Sequence, residues 1–252
     1  IIDSEYIVTE EETDPDDIDH PYIKNYLEIE TNIITNRTQS NAKYNNIQDA
    51  IDSSNTVSGT TLSLIRNVDI YYPITINKDI ILDLNGYNLY LNKSIVNNGN
   101  LTITNSINNV NTLSSRLSSY LITNETGSIL TIEGAKFDSP YVINNKVNST
   151  LNTSNVTITS TKVSINNVGT WNADGDTITS DENAINNQGS MTLNNMTIRG
   201  NSYGIYSNTA IDNSIKNSTI TSNSNALYKN STSTTTVENT TLNGYVYNGN
   251  SN

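Results

Sequence analysis

The residues with the most reactive chemistry are acidic. Asp174, Asp176, Asp181 and Glu182 fall within nine positions, and Arg199 follows about one repeat later. Carboxylates that hold a divalent cation, with an arginine or lysine as the base that takes a proton, are what a polysaccharide lyase requires. At a coil length of about 20 residues Arg199 lies over Thr179 and within reach of Asp181, but one exposed pair of this kind is usually only a surface ion pair. The only histidine is His20, far from this cluster, so histidine acid–base chemistry is excluded there. Cysteine is absent, which removes thiolate nucleophiles, disulfides and thiolate metal sites. No metal site and no cofactor is expected.

Two further sets of residues bear on function. Tyr206, Tyr228 and Tyr247 recur at one position of three successive units, with Tyr203 and Tyr245 beside them. If they point outward they form an aromatic strip able to stack sugar rings or pack a partner protein; ordinary cross-strand pairing is the alternative. Asn98, Asn124, Asn145, Asn167, Asn187 and Asn248 form a column two residues after an apolar position, and so on its side of the strand. Amides stacked at the strand spacing can bond to one another, so a structural ladder is expected of them.

A repeat must position these residues. Units open at Val96-Asn97-Asn98, Ile122-Thr123-Asn124, Ile143-Asn144-Asn145, Ile165-Asn166-Asn167 and Ile185-Asn186-Asn187, and continue at Ile205-Tyr206-Ser207, Leu227-Tyr228-Lys229 and Val246-Tyr247-Asn248. From Ile122 the steps are 21, 22, 20, 20, 22 and 19 residues. Each unit holds a second register, from Thr102-Ile103-Thr104 and Thr131-Ile132-Glu133 through Thr157-Ile158-Thr159, Thr177-Ile178-Thr179 and Thr197-Ile198-Arg199 to Thr219-Ile220-Thr221 and Thr241-Leu242-Asn243. Period-two alternation marks these as strands with isoleucine inward. A weaker third register runs through Leu151, Trp171, Met191 and Ile215. Three strands per unit of about 21 residues predict an all-β fold, a right-handed parallel β-helix with three-faced coils.

The order IQDAID, ITINKDIILDLNGYNL, IVNNGNLTITNS over residues 45–250 resembles the pectate-lyase-like β-helix repeats in large surface and adhesin-like proteins of Gram-positive bacteria and methanogenic archaea. That resemblance implies a secreted, cell-surface module that attaches to a glycan or to a host or neighbour cell-surface protein. It also brings in polysaccharide lyases and phage tailspikes, which share the architecture. The Asn-Thr-Asp, Asp-Asp, Gly-His-Gly and Arg-Ile-Lys motifs of polygalacturonases are absent from the repeat region. The outward threonine pairs are also similar to ice-binding solenoids, but Glu133, Arg199 and Asn243 interrupt the array. A non-catalytic binding domain is therefore the expectation.

Outside the coils, Ile47, Ala50 and Ile51 predict a short amphipathic helix capping the first coil. Residues 1–44 read as an acidic leader or linker, with a possible strand at YLEIETNII. Residues 1–30 hold eleven of the twenty-five acids and one base, leaving fourteen acids against twelve bases in the remainder. Asp14, Asp16, Asp17 and Asp19 lack the glycine turn and terminal glutamate of an EF-hand loop. Neither part has the basic stripe that nucleic-acid binding needs, and no apolar run approaches the ~18 residues of a membrane span. The hydrophobic fraction of 34% is low for a globular fold but suits a thin solenoid core. The start on Ile1 and the strand pattern running to Tyr245-Val246-Tyr247 suggest a solenoid that continues beyond residues 45–252, with any anchor elsewhere. The Asn-x-Ser/Thr sites at Asn100, Asn155, Asn195, Asn217 and Asn239 are attributed to composition.

Overall fold

The chain is a parallel β-solenoid of about 9 turns, with about 21 residues per turn and 3% helix. The computed structural model describes residues 6–14, 17–28, 31–39, 41–107 and 111–249, with side chains from residue 31 onward. Two compact units are present, 1–32 and 33–252. In the first, Tyr6–Asp14 pairs antiparallel with Asp17–Glu28, with an irregularity between Glu12 and Asp14. The acidic leader thus holds a pair of antiparallel strands. Asp16 and the side chains of Asp14, Asp17, Asp19 and His20 lie outside the described residues.

The second unit begins at Ile33 rather than at 45, because Ile34–Asn36 pairs antiparallel with Thr60–Leu64 and so joins the body. From Thr60 every coil turns through three strands, here called faces 1, 2 and 3. In one coil these are Tyr141–Asn145, Thr150–Ser154 and Thr157–Ser160. Each strand pairs in parallel with the equivalent strand of the next coil. Faces 1 and 3 merge through Thr219–Lys229, an 11-residue strand that turns the corner without a break.

Alternation builds the core. On face 1, Ile74, Ile95, Ile122, Ile143, Ile165, Ile185, Ile205 and Leu227 stack in one column and are buried. Face 2 adds Leu130, Leu151, Trp171 and Met191, and face 3 adds Phe137, Ile158, Ile178, Ile198 and Ile220. Each such side chain removed from water contributes about 1.5–3 kcal/mol. The Thr-x-Thr register proves to span two faces: Thr102 and Thr131 are on face 2, whereas Thr157 onward is on face 3. The 26-residue step from Thr131 to Thr157 marks the change. Ile215 stacks on Leu193, with Asn213 beyond Met191.

The helix Ile47–Asp52 packs against Ile34–Asn36, Ala42–Tyr44 and Ile74–Ile76, burying Ile47, Ala50 and Ile51. Asn46 caps it by accepting from the amides of Gln48 and Asp49. Lys78 Nζ donates to the carbonyls of Ile51, Ser53 and Thr56, which answers the unpaired acceptors at its end.

Two corners explain residues that composition alone does not. After face 2 the backbone enters the left-handed region in coil after coil, at Gly134, Asn155, Gly175, Asn195, Asn217 and Asn239, with φ between 48° and 74°. Only glycine and asparagine do this at low cost, so these Asn-x-Ser/Thr asparagines are turn residues rather than accidents of composition. After face 1, a Cβ on Gly189 would lie 2.0 Å from the carbonyl oxygen of Gly169. Coils approach too closely there for any side chain.

Candidate functional site

The inward end of each face 1 strand carries a buried amide ladder. Asn97 Nδ2 donates to Asn124 Oδ1, Asn124 to Asn145, Asn145 to Asn167 and Asn167 to Asn187, each at 2.8 Å. The same amides donate to the carbonyls of Ile129, Thr150, Thr170 and Ser190, the first residues of face 2 strands, at 2.8–3.0 Å. All five asparagines are 0% exposed. Asn98 is not among them: it faces solvent and bonds to Asn77, because the strand pairs as Ile95-Val96-Asn97 on Ile122-Thr123-Asn124. Two adjacent apolar residues left the frame ambiguous, and a one-residue slip reverses every side chain. Asn248 keeps the column but is exposed and stands opposite Lys229, the ladder having given way to Ser207 and Lys229.

One position earlier, the outward column of face 1 reads Asn144, Asn166, Asn186, Tyr206, Tyr228, Tyr247. Asn166 Nδ2 donates to Asn144 Oδ1 at 2.8 Å. The tyrosines then stack: Tyr206 on Tyr228 with centroids 5.2 Å apart and planes at 8°, and Tyr228 on Tyr247 at 4.4 Å and 14°. Tyr203 stands edge-on to Tyr206 and Tyr228, at 5.4 and 5.5 Å. Tyr245 occupies the column of Tyr203 two strands on, with Asn225 between, and is 75% exposed. Partial desolvation, followed by the neighbouring Tyr247, Tyr206 and Tyr203 rings, raises the Tyr228 pKa above its ordinary value. A cleft of about 200 Å³ opens where asparagine gives way to tyrosine, lined by Asn183, Asn186, Gln188, Tyr203 and Tyr206.

The acidic candidates do not converge. Asp174 is exposed on face 2 and accepts from Asn194 and Asn195. Glu182 pairs with Lys162 at the corner before face 1, and Asp181 is exposed beside it. Arg199 lies on the outer side of face 3, over Thr179 as its spacing implies. Asp176 is 1% exposed and structural: it accepts from the Thr153 hydroxyl and from the amide of Val156 at 2.8 Å, while Trp171 Nε1 donates to Thr153 Oγ1 at 3.0 Å. No histidine or carboxylate cluster able to hold a metal occurs among the described residues.

Burial raises the Asp176 pKa from 3.8 to about 6; the Thr153 and Val156 hydrogen bonds pull it back and Asp174 adds to the rise. Between those values the folded protein holds a proton that the unfolded chain has lost, so stability falls as pH rises through the window. Above about pH 6 the penalty is complete, on the order of 2–3 kcal/mol. Asp176→Asn should therefore raise the urea midpoint at pH 7 and flatten its dependence between pH 4 and 6. An unchanged slope in that window would contradict the assignment.

The fold and site define the class: a parallel β-solenoid whose outer face 1 carries an amide row running into a tyrosine stack. Comparison with known families, proteins and solved structures gives no match, so the reading of the site rests on its geometry.

Proposed function

We propose that this solenoid is a non-catalytic, extracellular surface or adhesin-type module that attaches to a glycan or a cell-surface protein through the outer strip of face 1. The observation that carries this reading is the stack of Tyr206, Tyr228 and Tyr247 at solvent-facing positions, continuous with Asn144, Asn166 and Asn186. Aromatic rings with a polar handle beside outward-facing amides suit both sugars and protein partners. The expectation drawn from the repeat order, to which no known family or protein adds a match, agrees with this reading. So does the dispersal of Asp174, Asp176, Asp181, Glu182 and Arg199 over two faces, a corner and the interior, which gives these five residues no common groove.

Contacts of this type are worth about 0.5–1.5 kcal/mol each, so attachment depends on many copies displayed together. Beads coated with the protein should lose most of their adhesion to target cells when Tyr206→Ala and Tyr228→Ala are combined, with the far-ultraviolet spectrum unchanged. Full adhesion by that folded variant would move the site off face 1. Calcium-dependent release of unsaturated uronides from polysaccharide by the purified chain would replace this reading with a lyase.

A further inference from the structure

A stack of rings hides the surfaces it is made from. Tyr228 is sandwiched, with Tyr206 on one side and Tyr247 on the other, both nearly parallel to it. Tyr203 stands against the pair of Tyr206 and Tyr228, its plane at 74° and 75° to theirs. A sugar ring lies on an aromatic face through its C–H groups, so the interior of the strip offers it no seat. Tyr206 has one face spent on Tyr228 and its other face turned toward the Asn186 layer, where the cleft lies.

We propose that this cleft is a subsite for a single neutral pyranose unit, seated on the Tyr206 ring; the inference rests on the glycan reading above and narrows it. The cleft's lining includes no charged side chain, and the nearby Lys162 and Glu182 neutralise each other. Its volume of about 200 Å³ is below the range for drug-sized ligands and fits one ring. Its rim is made of amides. Asn183 Nδ2 donates to Asn186 Oδ1 at 3.1 Å, which orients both groups and leaves Asn183 Oδ1 as an acceptor and Asn186 Nδ2 as a donor for hydroxyls. Gln188, exposed on the turn after Asn187, adds a third amide. One apolar face and several neutral hydrogen-bonding groups are the complement of an uncharged sugar, whereas a uronate or a sialic acid would bring a carboxylate that nothing here neutralises.

The test is saturation-transfer NMR on the whole chain with methyl β-glucopyranoside, methyl α-mannopyranoside, N-acetylglucosamine and, as the charged probe, glucuronate. At least one neutral pyranoside should receive saturation at its ring C–H protons, with millimolar affinity. Tyr206→Ala should weaken it about two- to tenfold, Tyr206→Phe should retain stacking, Gln188→Ala should weaken it a few-fold, and Arg199→Ala, exposed on face 3, should leave it unchanged. Equal losses in Tyr206→Ala and Tyr247→Ala would place the sugar along the strip, overturning the subsite while leaving glycan attachment intact. Transfer to glucuronate above all neutral probes would overturn the neutral class. Absence of transfer to every neutral probe, or indifference to Tyr206→Ala, would overturn the subsite outright; adhesion of the double tyrosine variant then decides separately whether face 1 binds at all.

Discussion

Asn145→Ala should lower the stability of the solenoid by about 3–5 kcal/mol, because Asn145 stands in the middle of the buried amide ladder. Asn145 accepts from Asn124 Nδ2 at 2.8 Å and from the Ser149 hydroxyl at 2.7 Å, and donates to Asn167 Oδ1 at 2.8 Å and to the Thr170 carbonyl at 3.0 Å. Its removal affects partners unequally. Asn124 keeps its bond to Thr150, and Ser149 keeps its bond to Lys146. Asn167 Oδ1 loses its donor in the interior and the Thr170 carbonyl loses its donor at a part-buried position, and a buried loss of this kind costs about 1–3 kcal/mol. The small cavity adds to this. Asn166→Ala is the matched control: its side chain is outward, half-buried and bonded to Asn144, so it should change stability by no more than about 1 kcal/mol. Urea unfolding of the two variants measures both. Similar midpoints would mean that the ladder contributes little beyond its neighbours on the surface.

Trp171→Ala should cost a comparable amount, about 3–5 kcal/mol, by a different route. Trp171 is 0% exposed, lies between Leu151 and Met191 on the inner side of face 2, and ties its ring nitrogen to Thr153. Alanine there would open the largest cavity a single substitution can make in this core, and a thin solenoid has no second layer to collapse into it. It would also strip a donor from Thr153 Oγ1, the group that serves Asp176. Trp171→Phe restores much of the volume but not the donor, and should cost about 1–3 kcal/mol. Because Trp171 is the only tryptophan, the native protein should show blue-shifted emission that moves to the red on unfolding. An alanine variant as stable as the parent would place the ring outside the packed interior.

The repeat was legible because each coil restates it. Ile143, Ile165 and Ile185 recur at one coil length and stack as that spacing implies. Tyr206, Tyr228 and Tyr247 were likewise legible as an outward column, since alternation fixes the face once the frame is known. Frame was the weak point. At Ile95-Val96 two neighbouring apolar residues allow either assignment, and pairing with the next coil decides it. Corners were less legible still: period-two reasoning ends where the strand ends, so the sequence does not say that Asp176 turns inward while Asp174 stays in solvent. Nor does it show that Asn155 and Asn195 answer a left-handed backbone, although their interchange with Gly134 and Gly175 at one coil position was the available signal. The tyrosine spacing also concealed a consequence: rings at strand separation cover one another, so the faces inside the row are spent on neighbouring rings.

The most direct measurement of the central claim, that face 1 is an attachment surface, is a glycan-array screen with the chain displayed in many copies, run in parallel with the folded Tyr206→Ala, Tyr228→Ala variant. The account predicts retention of the parent on a group of neutral glycans, with loss of that signal in the variant. Retention of both proteins on the same glycans, or selective retention of the parent on acidic polymers alone, would contradict it.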